Sequence, residues 1–185
     1  RERSSVMPRL SQALCHLAVE DWEKATKVLE AIPAAERSGD LSPVSYVLAD
    51  CHIRTAPAKA EDALQDNMPR EKLGEAAKLL DTFIAASPKA AQTPDAILKL
   101  GHCQKRLAIQ LQPGNERNDA LNKSRAAFER LIREFPQSAL LGTAHLERAK
   151  VMALLGDKGN AINALRQFNN DPLQKSPGAP PGMVY

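Results

Sequence analysis

Apolar residues recur at spacings of three and four along most of the chain, which is the period of one face of an amphipathic α-helix. Leu10, Leu14 and Leu17 form the first such stripe, and Val44 and Leu48 begin another. No segment shows the alternation of apolar and polar residues, with β-branched side chains, that a half-buried strand requires. The pattern therefore predicts an all-α protein with about eight helices.

Proline residues divide these helices into pairs. Pro33, Pro88, Pro136 and Pro172 each follow the second helix of a pair. Proline cannot continue a helix, because it lacks the backbone N–H and its ring clashes with the preceding turn. We expect four helical hairpins in a single domain over residues 6–172, at approximately 6–33, 42–88, 93–136 and 138–172.

Polar, breaker-rich segments separate some of the helices. Segments 55–70 and 110–119 lengthen the middle two hairpins, and we interpret them as helix extensions with longer turns. Ser42 is the expected N-cap of the third helix, because Pro43 suits the first helical position. The Pro/Gly-rich segment 173–185 is predicted to be a linker. Since the chain starts without Met and ends on an apolar tripeptide, we expect it to be a piece of a longer protein.

Composition and charge narrow the class of protein. Of the 185 residues, 43% are hydrophobic and 25% are charged, which is the globular range. The longest apolar runs fall short of the roughly 18–20 residues that a membrane span needs, so no span is predicted. Lys and Arg number 25 against 22 Asp and Glu, and a net charge of +3 is too small to indicate nucleic acid as the partner.

Several segments resemble the tetratricopeptide repeat. Residues 155–161 (Leu-Gly-Asp-Lys-Gly-Asn-Ala), followed by Leu165 and Phe168, are similar to the turn and second helix of that repeat. Residues 22–25 (Trp-Glu-Lys-Ala) resemble the same part of another copy. Further positions follow the repeat pattern, namely Ile97, Leu100 and Gly101 in a first helix, and Ala76, Leu80, Phe83, Ser124, Phe128 and Leu131 in second helices. The resemblance covers nearly the whole chain.

This resemblance implies both a fold and a function. The fold is a right-handed superhelical solenoid of about four antiparallel hairpins, in which small residues such as Gly101 let paired helices approach closely. The function is that of a noncatalytic protein–protein interaction scaffold, one segment of a larger multi-repeat protein, which binds a peptide or partner protein in its concave groove. Residues 128–138 also resemble repeats of bacterial cell-envelope proteins such as the outer-membrane assembly lipoprotein and the Tol–Pal coordinator. That similarity favours the bacterial envelope or periplasm and leaves the cytoplasm open.

The inward positions of the first helices are the candidate binding residues, because these helices line the groove in tetratricopeptide-like arrays. They are Tyr46, Asp50 and Arg54 in the second hairpin, Leu98, His102, Lys105 and Arg106 in the third, and Leu146 and Lys150 in the fourth. The resulting groove is basic and partly apolar. It suits an acidic segment or a C-terminal carboxylate, held by Arg54 or Arg106. The alternative interpretation is a set of solvated surface charges.

Three Cys–His pairs suggest metal ligands at first sight, since Cys and His are the preferred ligands of Zn²⁺. The pairs are Cys15-His16, Cys51-His52 and His102-Cys103. However, the cysteines occupy one register in successive first helices, which lie about one helix diameter (~10 Å) apart. That distance is too long for a shared ion or a disulfide. We therefore predict small buried hydrophobic residues, with no metal site.

No catalytic motif accompanies these helices. The sequence has neither a Gly-x-Ser-x-Gly elbow nor a Gly-rich loop that could cradle a phosphate, so no catalytic residue and no cofactor is predicted. One alternative function is a regulatory helical segment of a larger enzyme. Another is a nucleic-acid-binding repeat, suggested by basic residues of the third hairpin that include Lys105, Arg106, Lys123, Arg125 and Arg130. Acidic residues interleave with them, which favours a solvated surface instead.

The first hairpin is expected to expose apolar side chains. Met7, Leu10, Leu14 and Leu17 share one face of the first helix. A preceding repeat, a partner or a second copy of the chain could cover them, because solenoid ends normally need a polar cap. A homodimer formed through the exposed ends is therefore one expectation.

Overall fold

The computed structural model describes residues 3–56 and 68–170. In these residues the chain forms eight α-helices and no strand, which confirms the all-α prediction. The helices are α1 (Arg3–Ala18), α2 (Trp22–Glu30), α3 (Pro43–Thr55), α4 (Met68–Ala86), α5 (Thr93–Ile109), α6 (Asn115–Glu134), α7 (Leu141–Leu154) and α8 (Lys158–Asn170). The predicted linker at 173–185 and most of the 55–70 segment lie outside the described residues.

The chain divides into two compact units between Thr93 and Pro94. The N-terminal unit contains α1 to α4, and the C-terminal unit contains α5 to α8. Within the N-terminal unit, each helix packs against the next one along the chain. Within the C-terminal unit, α6 packs against α7 and α7 against α8. Packing of sequential neighbours is the arrangement expected of a helical repeat.

The core of the N-terminal unit joins the first three helices. Val6 and Ala13 of α1, Leu29 of α2, and Leu48 and Cys51 of α3 are buried together. Leu10 and Leu17 pack against this cluster, whereas Met7 and Leu14 are exposed. The predicted apolar stripe of α1 therefore has a packed side and a solvent-exposed side.

Two hairpin turns share one hydrogen-bond pattern. The amide of Asp21, after α1, donates to the carbonyl five residues earlier over 2.9 Å, and the amide of Asp157, after α7, does the same over 2.9 Å. Each Asp side chain then accepts a hydrogen bond from the amide three residues later, over 3.2 and 3.4 Å. The residue before each Asp has a positive φ, 56° at Glu20 and 89° at Gly156. This left-handed backbone favours glycine, so Glu20 is the strained member of the pair.

Ser42 precedes α3 as predicted, with Pro43 at the first helical position. Its side chain, however, makes no hydrogen bond to the N-terminal amides of the helix. The Ser42 hydroxyl is instead hydrogen-bonded to the hydroxyl of Ser87, beyond the end of α4, over 2.8 Å. The capping role predicted for this side chain is therefore wrong, because a half-buried tertiary partner, Ser87, takes the place of the helix amides.

Gly101 of α5 allows a close approach to α6 in the C-terminal unit. A Cβ atom at this position would lie 2.5 Å from the ring of Phe128, which is fully buried. Beside it, the hydroxyl of Ser124 donates a hydrogen bond to the Gly101 carbonyl over 2.7 Å. The close approach predicted for Gly101 is confirmed, and its cause is the space that the Phe128 ring occupies.

Candidate interaction surface

A buried carboxylate pairs with one lysine of α5 and one of α7. Glu147 of α7 is only 6% exposed. The Lys105 ammonium, on α5, donates a hydrogen bond to Glu147 Oε2. The Lys150 ammonium, one turn further along α7, donates to Glu147 Oε1 over 2.8 Å. Two of the predicted groove residues are therefore brought together by a third residue that the groove prediction did not include.

His102 completes this cluster one turn before Lys105. Its Nδ1 lies 3.8 Å from Glu147 Oε2, and its ring meets the edge of Phe128 with centroids 5.5 Å apart. Burial lowers the pKa of His102, while the nearby Glu147 carboxylate offsets part of that effect. The imidazole is therefore neutral near pH 7 and adds no positive charge to the cluster.

Glu147 remains ionised in spite of its burial. Burial alone would raise the pKa of its carboxyl, but hydrogen bonds from Lys105 and Lys150 outweigh it and lower the pKa below its usual value. Two ammonium groups and one carboxylate leave the cluster with one net positive charge. Because the Lys150 side chain is 53% exposed, part of that charge is open to solvent.

The other predicted residues of α5 and α7 lie around this cluster. Arg106 and Leu146 are half-buried, and Leu98 is buried within the unit. Leu98 can therefore offer a partner little surface, contrary to its predicted place in the groove. The exposed part of this face is mainly polar, since Lys150, Lys105 and His102 supply it.

The predicted residues of the N-terminal unit follow one another along α3. Arg54 donates from Nε to Asp50 Oδ2 over 2.7 Å, and its Cζ lies 4.4 Å above the centre of the Trp22 ring. The Tyr46 ring contacts Phe83 of α4, with centroids 5.4 Å apart. Arg54 is 51% exposed, so this unit presents one ordered guanidinium group stacked on an indole.

Two contributors to these surfaces were missed from the sequence. The sequence pattern predicts Trp22 only as part of a repeat, although its ring lies beneath the Arg54 guanidinium group. Glu147 is absent from the predicted groove residues. A signal was present, because Ala144, Glu147 and Val151 share the buried side of α7, and a glutamate on an apolar stripe indicates a buried charge that needs partners.

The three cysteines do not share one environment. Cys51 and Cys103 are buried, as predicted, whereas Cys15 is exposed, so the prediction is wrong for Cys15. Burial raises the pKa of the Cys51 thiol to about 11 and that of Cys103 to about 12, which keeps both protonated and unreactive near neutral pH. All three are free thiols. Within the part of the chain that the structure describes, no cluster of His, Cys, Asp and Glu is arranged to hold a metal ion.

Three of the five basic residues of α6 form ion pairs within their own helix. Arg125 lies 3.8 Å from Glu129, and Arg130 and Arg133 contact Glu134 over 2.9 and 3.0 Å. These pairs neutralise much of the positive charge of the helix. They match the interpretation of the basic third hairpin as a solvated surface.

Comparison with known proteins identifies part of the chain. Residues 95–138 match the family model for the tetratricopeptide repeat, and they include most of α5, all of α6 and the turn that follows. No curated protein matches the chain. None of the helices in residues 3–56 and 68–170 is long and apolar enough to cross a bilayer. Tetratricopeptide repeats generally mediate protein–protein interactions and act as noncatalytic scaffolds. The all-helical fold and this match together show that residues 95–138 are a repeat of the tetratricopeptide family.

Proposed function

We propose that this chain is a noncatalytic scaffold, one segment of a larger multi-repeat protein, that binds a peptide or partner protein through the first helices of its hairpins. The observation that carries the proposal is the cluster of His102, Lys105, Lys150 and Glu147 on α5 and α7. It is a charged, ordered and partly exposed surface, and its α5 residues, His102 and Lys105, lie within the segment 95–138 that matches the tetratricopeptide repeat.

The chemistry of the cluster favours an acidic ligand. An ammonium group has three N–H donors, and Lys150 uses one of them on Glu147. The remaining donors are available to a carboxylate, whether a side chain or a chain terminus. Because Glu147 already holds the lysine in place, a ligand loses less side-chain entropy on binding than it would with a freely moving lysine.

Arg54 offers a second anchoring point for the same kind of ligand. Stacking on Trp22 and the bond to Asp50 fix the plane of its guanidinium group. Only Nε is used on Asp50, and a guanidinium group carries five N–H donors in a forked arrangement. We propose that Arg54 binds a carboxylate of the partner, with Tyr46 contributing apolar contact beside it.

A peptide array tests this proposal. The chain is applied to matched sets of acidic, neutral and basic peptides, each with free and amidated C-termini. We expect acidic peptides or free C-termini to be selected. Lys150→Gln should weaken that binding about two- to fivefold, the range for an exposed ion pair. Arg54→Gln should have a similar effect on a ligand that reaches the N-terminal unit.

Lys123→Gln is the matched control, because Lys123 is also an exposed lysine of the C-terminal unit and lies outside the cluster. It removes the same charge and should leave binding unchanged. Equal losses with Lys123→Gln and Lys150→Gln would indicate attraction by net charge alone. Unchanged binding in both Lys150→Gln and Arg54→Gln would contradict the proposed surfaces.

A further inference from the structure

A cleft in the N-terminal unit lies outside the surfaces described above. It has a volume of about 430 Å³ and is bounded by α2, α3 and α4. Glu23 and Glu30 line it from α2, His52 from α3, and Glu71, Lys72 and Glu75 from α4. Asp50 and Arg54 of α3 do not line it. The cleft is therefore separate from the Arg54 surface.

The lining of the cleft is acidic. Four glutamates and two lysines line the cleft. One of the lysines, Lys72, donates a hydrogen bond from its ammonium group to the Thr55 carbonyl over 3.2 Å. Glu75 is paired with Lys78 over 2.7 Å. No ion pair engages Glu23 or Glu71 within the described residues. Two carboxylates without an ion-pair partner, one on α2 and one on α4, thus border the same concavity, which Lys27 of α2 also lines.

His52 gives the cleft a neutral polar wall. The residue is 8% exposed, and its Nε2 lies 3.5 Å from Glu30 Oε1. Its Nδ1 is buried and has no hydrogen-bond partner. Burial lowers the pKa of His52, and the Glu30 carboxylate offsets only part of that effect. The ring therefore does not neutralise the carboxylates near pH 7, and it lacks one of the two partners that a buried imidazole normally has.

We propose that this cleft receives a lysine or arginine side chain from a basic segment of a protein partner. The threonines of the lining, Thr26 and Thr55, can contact the apolar stem of such a side chain, while its charged end lies between Glu23 and Glu71. The acidic lining selects a cation. The described residues hold no cluster arranged to bind a metal ion.

The probe for this proposal is a blocked tripeptide with a central lysine, compared with the same peptide carrying norleucine, which keeps the stem and lacks the charge. Both are titrated into the ¹⁵N-labelled full chain and followed by amide chemical shifts. The lysine peptide should shift the amides of α2, α3 and α4 that border the cleft, and the norleucine peptide should not. Equal shifts with both peptides, or shifts elsewhere only, would overturn the proposal.

Paired variants sharpen the test. Glu23→Gln with Glu71→Gln should weaken binding of the lysine peptide about three- to tenfold, since each exposed ion pair contributes modestly. Glu116→Gln with Asp119→Asn removes the same charge from exposed positions of α6 and should have no effect. Equal weakening by both pairs would show that net charge alone acts, and no weakening by the first pair would refute the cleft.

The titration of His52 supplies an independent readout. A cation bound beside the ring disfavours the imidazolium form, so the pKa of His52 should fall further when the lysine peptide is present. An unchanged His52 titration at saturation would place the cation elsewhere. Lys150→Gln should leave all these results unchanged, so failure of the acidic-peptide proposal and failure of this one can be told apart.

Discussion

In the C-terminal unit a buried carboxylate holds the exposed charges, whereas in the N-terminal unit the charged groups hold one another at the surface. Glu147 is 6% exposed and receives two lysines. Asp50 pairs with Arg54, and the guanidinium group of Arg54 lies over the Trp22 ring. The sequence predicts all of these lysine and arginine positions as equivalent groove residues. The difference shows that similar charges can be held by a buried carboxylate in one unit and by a half-buried carboxylate with an aromatic ring in the other.

The two units also differ at their helix glycines and at their hairpin turns. Gly101 in the C-terminal unit meets Phe128 closely, while a Cβ atom added at Gly74, in α4 of the N-terminal unit, would meet nothing within 4 Å. The left-handed turn position is Gly156 in one unit and Glu20 in the other. The same kind of substitution, at a helix glycine or at the left-handed turn position, should therefore change the free energy of unfolding differently in the two units.

The largest difference in the free energy of unfolding is expected between a variant of Glu147 and a variant of Asp50. Glu147→Gln leaves Lys105 half-buried with no charged partner and should lower the free energy of unfolding by about 2–3 kcal/mol. Asp50→Asn should lower it by at most about 1 kcal/mol, because its partner Arg54 is exposed. Urea denaturation measures both changes. Equal losses would contradict the distinction, and a partial recovery in Glu147→Gln with Lys105→Met would confirm that the unpaired ammonium is the cause.

The next largest difference in the free energy of unfolding is expected between variants of Gly101 and Gly74. Gly101→Ala places a methyl group against the buried Phe128 ring and should lower the free energy of unfolding by about 1–2 kcal/mol, since overpacking outweighs the gain in helix propensity. Gly74→Ala has open space and should raise it by about 0.5–1 kcal/mol. Both are measured by urea denaturation. Adding Phe128→Leu should reduce the cost of Gly101→Ala, and no such reduction would show that the ring is not the obstacle.

The two turns should respond with opposite signs. Gly156→Ala forces a side chain into the left-handed region and should cost about 1 kcal/mol of stability, whereas Glu20→Gly relieves that strain and should add about 0.5–1 kcal/mol. Thermal unfolding followed by circular dichroism measures the change in midpoint. A loss of stability in Glu20→Gly would mean that the Glu20 side chain contributes more than its backbone costs.

The smallest effect is a pH dependence that both units share. The pKa values of His52 and His102 are lowered, mainly by burial. The unfolded chain therefore binds protons more readily, and stability should fall as the pH drops below about 6.5, the ordinary pKa of histidine. Replacing either histidine by Gln should flatten this part of the stability profile, measured by urea denaturation between about pH 7.5 and 5.5. A profile unchanged in both variants would assign the dependence to other groups.

The helices and the Gly101 contact could be predicted from the sequence because both depend on local information. Hydrophobic period fixes the buried face of each helix, and a small residue on that face indicates a close neighbour. Glu147 could not be placed in the same way, because its main partner, Lys105, lies 42 positions away on a helix that does not directly precede α7, whereas Gly101 meets the next helix along the chain. Cys15 illustrates a further limit. Its register matches that of Cys51, but α1 packs chiefly against α2, whereas α3 packs against both α2 and α4.

The bond between Lys105 and Glu147 also has a kinetic consequence. Its two residues are separated by 42 positions along the chain, whereas a turn of a few residues joins α7 to α8. A long loop must close before such a bond can form, so we expect the hairpins to assemble first and this bond to form afterwards. Glu147→Gln should then accelerate unfolding more than it slows folding. Because its interactions form late in folding, the buried carboxylate would mainly set the unfolding rate, and so the lifetime of the folded C-terminal unit.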